Sequence, residues 1–288
     1  MKTVATIAEL RSRLDADRAA GRTVGFVPTM GYLHDGHASL MRQARAETDV
    51  VVASIFANPL QFGAGEDLDA YPRDLDRDTR LAEAAGVDLL FVPGADEMYP
   101  EPVLTTVSVA QLSEPLEGAS RPTHFAGVAT VVAKLFAIVG PCRAYFGEKD
   151  FQQLALVRRM VRDLSFPVDV VGCQTARELD GLALSSRNTY LTREEREAAP
   201  VLYRALRAGV ASILAGERDP AFVRSLMAQI IEAEPLARLD YAEVVDADSF
   251  RVPDPLAGNL RLLAAVRFGR ARLIDNVGVT VPAPTQGG

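Results

Sequence analysis

Along residues 1–172 apolar runs alternate with amphipathic stretches. The runs "TVGFVP" (23–28), "DVVVASIFAN" (49–58), "VDLLFVP" (87–93), "CRAYFG" (142–147) and "VDVVGCQ" (168–174) predict strands buried on both faces. Between them, "ASLMRQARAET" (38–48), "DLDRDTRLAEAAG" (74–86), "HFAGVATVVAKLFAIVG" (124–140) and "DFQQLALVRRMVRDL" (150–164) predict helices, two of them closed by Gly86 and Gly140. Near-continuous apolar strands alternating with helices predict an α/β fold with a parallel sheet covered on both faces. Such folds bind ligands at the carboxyl ends of their strands, where the loops gather.

The pattern changes near residue 176. "REEREAAPVLYRALRAGVASILAGE" (193–217) and "PAFVRSLMAQIIEAEP" (220–235) predict consecutive helices. "LDYAEVVDADSF" (239–250) and "NLRLLAAVRFGRARLIDNVGVTV" (259–281) alternate apolar and polar residues, as half-exposed strands do. Residues 1–175 and 176–288 are therefore expected to be two domains, the second an α+β module with its own core. The tail "PAPTQGG" (282–288) is expected to be a flexible end.

Composition narrows the classes. Hydrophobic residues make up 48% of 288, enough for a full core. A net charge of −7 gives no basic footprint for nucleic acid, although a local pocket can still be positive. Cys142 and Cys173, the only cysteines, form neither a C-x-x-C motif nor a disulfide framework. The N-terminal stretch is charged and amphipathic, unlike a signal peptide, and no apolar run is long enough to span a membrane. A soluble, cytoplasmic protein without membrane partners is the expectation.

Chemistry concentrates in the loops. "PTMGYLHDGHASL" (28–40) holds two of the three histidines, His34 and His37, around Gly36. It falls between the first strand and first helix of this pattern, where backbone N–H groups and the helix dipole favour phosphate. Imidazole N–H groups there can donate to phosphoryl oxygens. Two solvated loop histidines are the bland alternative. Zinc is a weaker one, with His124 as a third ligand. Neither a Walker loop nor G-x-G-x-x-G is present. Asn58 and Gln61, in "SIFANPLQF" (54–62), are uncharged amides able to fix a polar substrate, or members of an ordinary Asn-Pro turn. In "YFGEKDFQQL" (145–154), Gly147 permits a tight turn, Lys149 is a cation at the wrong end of a helix unless an anion faces it, Asp150 is a candidate N-cap, and Gln153 lies one turn in. "LALSSRNTYLT" (182–192) sets Arg187 beside Ser185 and Ser186, suited to polyphosphate or equally to a capping loop. Arg121 and His124 precede the buried helix at 124–140.

These motifs resemble a known family. "PTMGYLHDGHASL" is similar to the H-x-G-H signature of the nucleotidyltransferase superfamily. Together with "SIFANPLQF", "YPRDLDRD", "FVPGADEMYP", "THFAGVATVVAKLF", "YFGEKDFQQL" and "LALSSRNTYL", it resembles the pantothenate synthetases, or pantoate–β-alanine ligases, in order and spacing. The likeness is specific over residues 24–192 and looser through "LDYAEVVD" and "RLIDNV". It implies a Rossmann-like parallel-sheet domain that binds nucleotide and pantoate, a smaller C-terminal lid domain, and a homodimer through the first domain. It implies the Mg²⁺- and ATP-dependent joining of pantoate to β-alanine through pantoyl adenylate, giving pantothenate, AMP and pyrophosphate. By the same resemblance Met30, Gly31, Tyr32, Leu33, His34, Asp35, Gly36 and His37 hold ATP, with His34 and His37 on its phosphates and His37 the acid-type residue. Gly147, Glu148, Lys149 and Asp150 line the nucleotide, Lys149 meeting its phosphates, and Ala176 meets the adenine through its backbone. Leu184, Ser185, Ser186 and Arg187 form a mobile phosphate loop. Gln61 and Gln153 grip pantoate, with Gln61 also near β-alanine, and Asn58, Arg121 and His124 are secondary pocket residues. Asp78 is a magnesium contact. The chain departs from the family pattern at Tyr32, Ala57, Leu60, Arg77 and Leu184, and none of these changes removes a charged catalytic group. Two alternatives are another H-x-G-H nucleotidyltransferase, for which "SIFANPLQF" and "HFAGVATVV" would have no purpose, and a silent nucleotide-binding module, free to lose His37, Lys149 or Arg187.

Overall fold

The structure, a computed structural model, describes residues 1–63, 68 and 71–282. Apart from Pro282, the tail expected to be flexible lies outside the described residues. The chain divides into two compact units: Met1–Glu148 with Gln152–Thr175, and Lys149–Phe151 with Ala176–Gly288.

The first unit is built on a parallel six-stranded sheet in the order β1-β4-β3-β2-β5-β6. Its strands are β1 (Lys2–Val4), β2 (Val24–Thr29), β3 (Val50–Ile55), β4 (Leu89–Phe91), β5 (Cys142–Gly147) and β6 (Val168–Cys173). Its helices are α1 (Ile7–Ala19), α2 (Asp35–Glu47), α3 (Leu75–Ala84), the short α4 (Ala95–Met98) and α5 (Glu117–Ser120), α6 (His124–Val139) and α7 (Phe151–Asp163). β1 was not foreseen. It has three residues, begins with Lys2, and pairs with β4 at the sheet edge. Without it the order is that of a Rossmann-type sheet: successive strands step one way from β2, then the other way from β2 through β5. The crevice at that reversal lies beyond the carboxyl ends of β2 and β5, and the segments 30–37 and 147–150 leave from those ends.

Burial explains the sheet. Val50–Ala53 of β3 and Val24–Val27 of β2 are buried without alternation, because helices cover both faces. Val27, Val51, Ala53 and Tyr145 pack with Ala38, Met41 and Ala44 of α2 and Ala82 of α3. On α6, Phe136 meets Phe146 of β5 edge-on, ring centroids 6.3 Å apart.

In the second unit α8 (Arg193–Ala198), α9 (Val201–Leu214) and α10 (Pro220–Glu232) share a core with the antiparallel sheet β7 (Arg238–Asp246), β8 (Gly258–Phe268) and β9 (Ala271–Val281). The single helix expected over 193–217 is two, because Pro200 stands at the junction and has no N–H to continue the ladder. The alternating stretch 259–281 is a hairpin. Gly269, at φ +51, and Arg270 turn the chain between β8 and β9.

Buried polar contacts order this unit. The Asp275 carboxylate, 3% exposed, accepts two hydrogen bonds from the Arg177 guanidinium at 2.5 and 2.9 Å, and that guanidinium also lies over the Tyr203 ring at 4.0 Å. Burial pushes the Asp275 carboxyl above the usual carboxylate range, and Arg177 opposes this. Removing one partner of such a pair leaves an uncompensated charge, which costs about 3–5 kcal/mol. Asp275→Ala is therefore expected to lower the stability of the second unit by that amount in urea melts, and Asp275→Asn by less.

Candidate active site

The loop after β2 is shaped by two unusual backbone conformations, Gly31 at φ +89 and Tyr32 at φ +49. A side chain is strained in that region, so something must hold Tyr32 there. Asp78, on the first turn of α3, does so. Its carboxylate accepts from the Tyr32 N–H at 2.7 Å and the Leu33 N–H at 2.6 Å, and the side chain is 1% exposed. Burial raises its pKa, opposed by these two amides and by Arg77. Asp78 was expected to contact magnesium. Instead its two oxygens clamp the loop backbone, inside the protein.

Beyond the clamp the chain enters α2 through a reciprocal cap. His34 is the N-cap, and its Nδ1 accepts from the Gly36 N–H at 3.1 Å. His37 returns the contact, its Nδ1 accepting from the His34 N–H at 3.3 Å. The two rings lie 4.1 Å apart, centroid to centroid. A neutral imidazole that accepts at Nδ1 carries its proton on Nε2. The cap thus selects one tautomer for both rings and makes each Nε2–H a donor on the first turn of a thirteen-residue helix. Backbone amides and the helix dipole add positive potential at the same place. Asp35 is exposed, and Leu33 is buried in the core.

The segment after β3 sits against this loop. Asn58 caps a single 3₁₀ turn, Pro59–Gln61. Gln61 is 7% exposed, and its Nε2 donates to the Met30 sulfur at 2.9 Å. The turn reaches α6 only because position 127 is glycine, since a Cβ there would overlap the Leu60 carbonyl. The Gln61 carbonyl oxygen lies 3.0 Å from His124 Nδ1 and accepts from Arg121 at 3.4 Å. His124 and Arg121 therefore bear on the backbone of the turn. Asn58, expected as a pocket residue, is 1% exposed and has hydrogen-bond partners on both ends of its amide. On α7, Gln153 is half-buried, whereas the neighbouring Gln152 is buried and donates to the carbonyls of Leu112 and Pro115. Gly147 and Glu148 lie at the carboxyl end of β5.

The remaining expected residues belong to the second unit. Lys149 and Ser185 line one small cleft with Asn188, Tyr203 and Asp275. Lys149 donates to Asp150 at 3.4 Å, and the Asn276 side chain holds its backbone carbonyl at 2.7 Å. Asp150, read as a helix cap, instead lies in a 3₁₀ turn, Glu148–Asp150, ahead of α7. Ser185 caps the turn Ser186–Tyr190, its Oγ accepting from the Arg187 N–H at 3.2 Å. The Ala176 carbonyl accepts from the Leu184 N–H at 2.9 Å, closing a hairpin over residues 177–183.

Sequence reasoning passed over Asp275, Asn276 and Arg177, which anchor Lys149 and its cleft, and Tyr99, which donates to Asn58 at 2.9 Å. The strings "RLIDNV" and "FVPGADEMYP" contained these residues apart from Arg177, without revealing their work. Among the described residues no three His, Cys, Asp or Glu side chains are grouped to hold a metal ion. Likewise, no described helix is long and apolar enough to cross a membrane.

A glutamine-bearing turn beside a histidine-capped helix at a Rossmann switch point is the arrangement of a nucleotide-using α/β enzyme of the H-x-G-H type. The pantoate-beta-alanine ligase family model matches residues 2–278, and the chain belongs to that family. It is 56% identical over 281 residues to the pantothenate synthetase of Heliobacterium modesticaldum, covering 98% of this chain and all of the relative. Identity to the pantothenate synthetase of Sinorhizobium medicae is also 56%, over 96% of this chain and 95% of the relative. The crystal structure of pantothenate synthetase from Thermus thermophilus superposes with a TM-score of 0.91 at 55% identity, covering 96% of this chain and 99% of the other. The pantoate-beta-alanine ligase of Francisella tularensis, complexed with beta-gamma ATP and beta-alanine, superposes with a TM-score of 0.80 at 35% identity, over 96% and 97% of the two chains.

The clamp makes a prediction. Asp78→Asn puts an amide N–H against one of the loop N–H groups. It is expected to lower stability by about 1–3 kcal/mol, the cost of leaving a buried donor unmet. The Tyr32 and Leu33 amides should lose protection in native-state hydrogen exchange, and full protection in the variant would show that the loop holds its shape without the clamp.

Proposed function

We infer that the chain is an AMP-forming pantoate–β-alanine ligase. The observation that carries this reading is the contact between Gln61 and Met30. It brings the amide suited to gripping an acid substrate against the mouth of the loop suited to binding phosphate. A carboxylate cannot expel oxide when an amine attacks it at neutral pH, so it must first be given a better leaving group.

In the first half-reaction a pantoate carboxylate oxygen attacks the α-phosphorus of ATP. The bond from that phosphorus to the bridging oxygen breaks, and pyrophosphate leaves with its electron pair. The product is an acyl phosphate mixed anhydride, pantoyl adenylate. In the second, the β-alanine amine attacks the acyl carbon, the bond to AMP breaks, and the amine loses a proton as the amide of pantothenate forms. Each step needs alignment and neutralisation of phosphate charge more than covalent help from the protein.

The residues divide accordingly. His34 and His37 donate Nε2–H bonds to the phosphates over the start of α2, with His37 the acid-type group. Met30, Gly31 and Tyr32 shape the nucleotide loop, and the backbone of Ala176 meets the adenine. Gln61 and Gln153 grip pantoate. Lys149, Ser185, Ser186 and Arg187 contact the polyphosphate. Magnesium binds mainly through substrate phosphates and retained waters, and Asp78 is engaged with the loop. Magnesium is therefore taken to arrive with the nucleotide, as MgATP. The same reading carries a homodimer through the first unit and a cytoplasmic location, tested by light scattering and by cell fractionation.

Incubation with MgATP, pantoate and β-alanine tests the activity. AMP release that requires both co-substrates supports the ligase. Release without them points to hydrolysis of the nucleotide rather than ligation, and no release points to a nucleotidyltransferase that lacks its acceptor or to a silent module. His37→Ala and Lys149→Ala are each expected to slow adenylation by about two orders of magnitude or more, the usual loss when a transition-state donor is removed. Near-normal rates in either variant would contradict its role.

A further inference from the structure

Behind Gln61 lies a chain of hydrogen bonds, centred on the buried Asn58, whose direction can be read. Asn58 Oδ1 accepts from the Leu60 N–H at 3.3 Å and from the Tyr99 hydroxyl at 2.9 Å. Asn58 Nδ2 donates to the Gly127 carbonyl at 3.1 Å and to Gln61 Oε1 at 3.2 Å. Two of these four partners are backbone groups, and they cannot exchange roles. Turning the Asn58 amide over would set N–H against N–H and carbonyl against carbonyl, inside a site that is 1% exposed. The orientation of Asn58 is therefore fixed. It obliges Gln61 Oε1 to accept and leaves Gln61 Nε2 to face forward, where its protein acceptor is the weak sulfur of Met30.

We propose that Tyr99 and Asn58 are positioning residues that lock the polarity of Gln61, so that the acid substrate is recognised through a pair of amide N–H donors. A substrate oxygen, from carboxylate or hydroxyl, replaces the Met30 sulfur as a better acceptor. Tyr99 completes the acceptor side of Asn58. Burial pushes its hydroxyl up to about 12, so it stays a proton donor at ordinary pH. The Tyr99 ring is itself packed, 5.9 Å from the Phe56 ring, with the Lys134 ammonium 5.3 Å from its centroid. The proposal rests on the ligase reading, because it assumes that Gln61 grips the acid.

Steady-state kinetics on the full-length protein test it. Tyr99→Phe keeps the ring and removes the donor. The expected result is a rise of about 3–10-fold in the KM for pantoate, with the KM for ATP unchanged and the melting temperature close to that of the wild type, as fits the loss of one half-buried donor at a positioning site. An unchanged pantoate KM, or an equal rise for both substrates, would overturn the role of Tyr99. A second comparison reads polarity directly. If Gln61 offers N–H groups, then Gln61→Glu, which presents only acceptors to an acid, must be worse than Gln61→Ala. Equal or better activity in Gln61→Glu would overturn the proposal even if Tyr99→Phe folded poorly. Should the wild type itself fail to ligate pantoate, the ligase reading falls and this proposal with it. A wild type that turns over beside an indifferent Tyr99→Phe removes the relay alone.

Discussion

A helix start leaves N–H groups to be satisfied, and at the start of α2 the imidazoles of His34 and His37 accept from the Gly36 and His34 N–H groups. Most of the site follows from that choice. Because each Nδ1 accepts a backbone proton, each Nε2 must carry one. Two donors are fixed before any ligand arrives, on rings that need not rearrange to meet an anion. The loop that delivers them is bent through Gly31 and Tyr32 and held by a carboxylate from α3, forty-six positions along the chain. Preorganised donors of this kind stabilise growing charge without the reorganisation that water would require.

The turn that carries Gln61 is built in the same way. Asn58 and Gly127 are buried and Tyr99 is partly buried, and together they set the height and direction of Gln61 against α6. The second unit repeats the pattern around Lys149, whose backbone is pinned by Asn276 while Asp275 holds Arg177. In each case the residue suited to meet substrate is placed by a buried polar neighbour with no evident part in the chemistry.

Much of this architecture was legible in the sequence because parallel strands covered on both faces leave continuous apolar runs, and glycines close the helices between them. β1 escaped because three residues beginning with Lys2 show no such run. The β8–β9 hairpin was read as one stretch because alternation continues across a two-residue turn. Among the candidate site residues, the histidine pair, Gln61, Lys149 and the Ser185–Arg187 turn stood out by residue type and position. The work of Asp78 and Asn58 was not. A carboxylate in a polar string reads as a metal or solvent contact, and an amide before proline reads as a turn or substrate contact. Only the folded structure shows that Asp78 holds two backbone amides and that Asn58 is satisfied by two backbone groups and the Tyr99 and Gln61 side chains.

The account rests on the tautomer of two rings, and the composition makes that measurable, since the chain has only three histidines. Nitrogen-15 correlation spectra of the labelled protein at neutral pH resolve the protonated and unprotonated ring nitrogens. The cap predicts that His34 and His37 both show Nε2 protonated and Nδ1 bare, with the Nε2 signals moving when a non-hydrolysable ATP analogue is added. A proton on Nδ1 of either ring, or Nε2 signals indifferent to the nucleotide, would contradict the account.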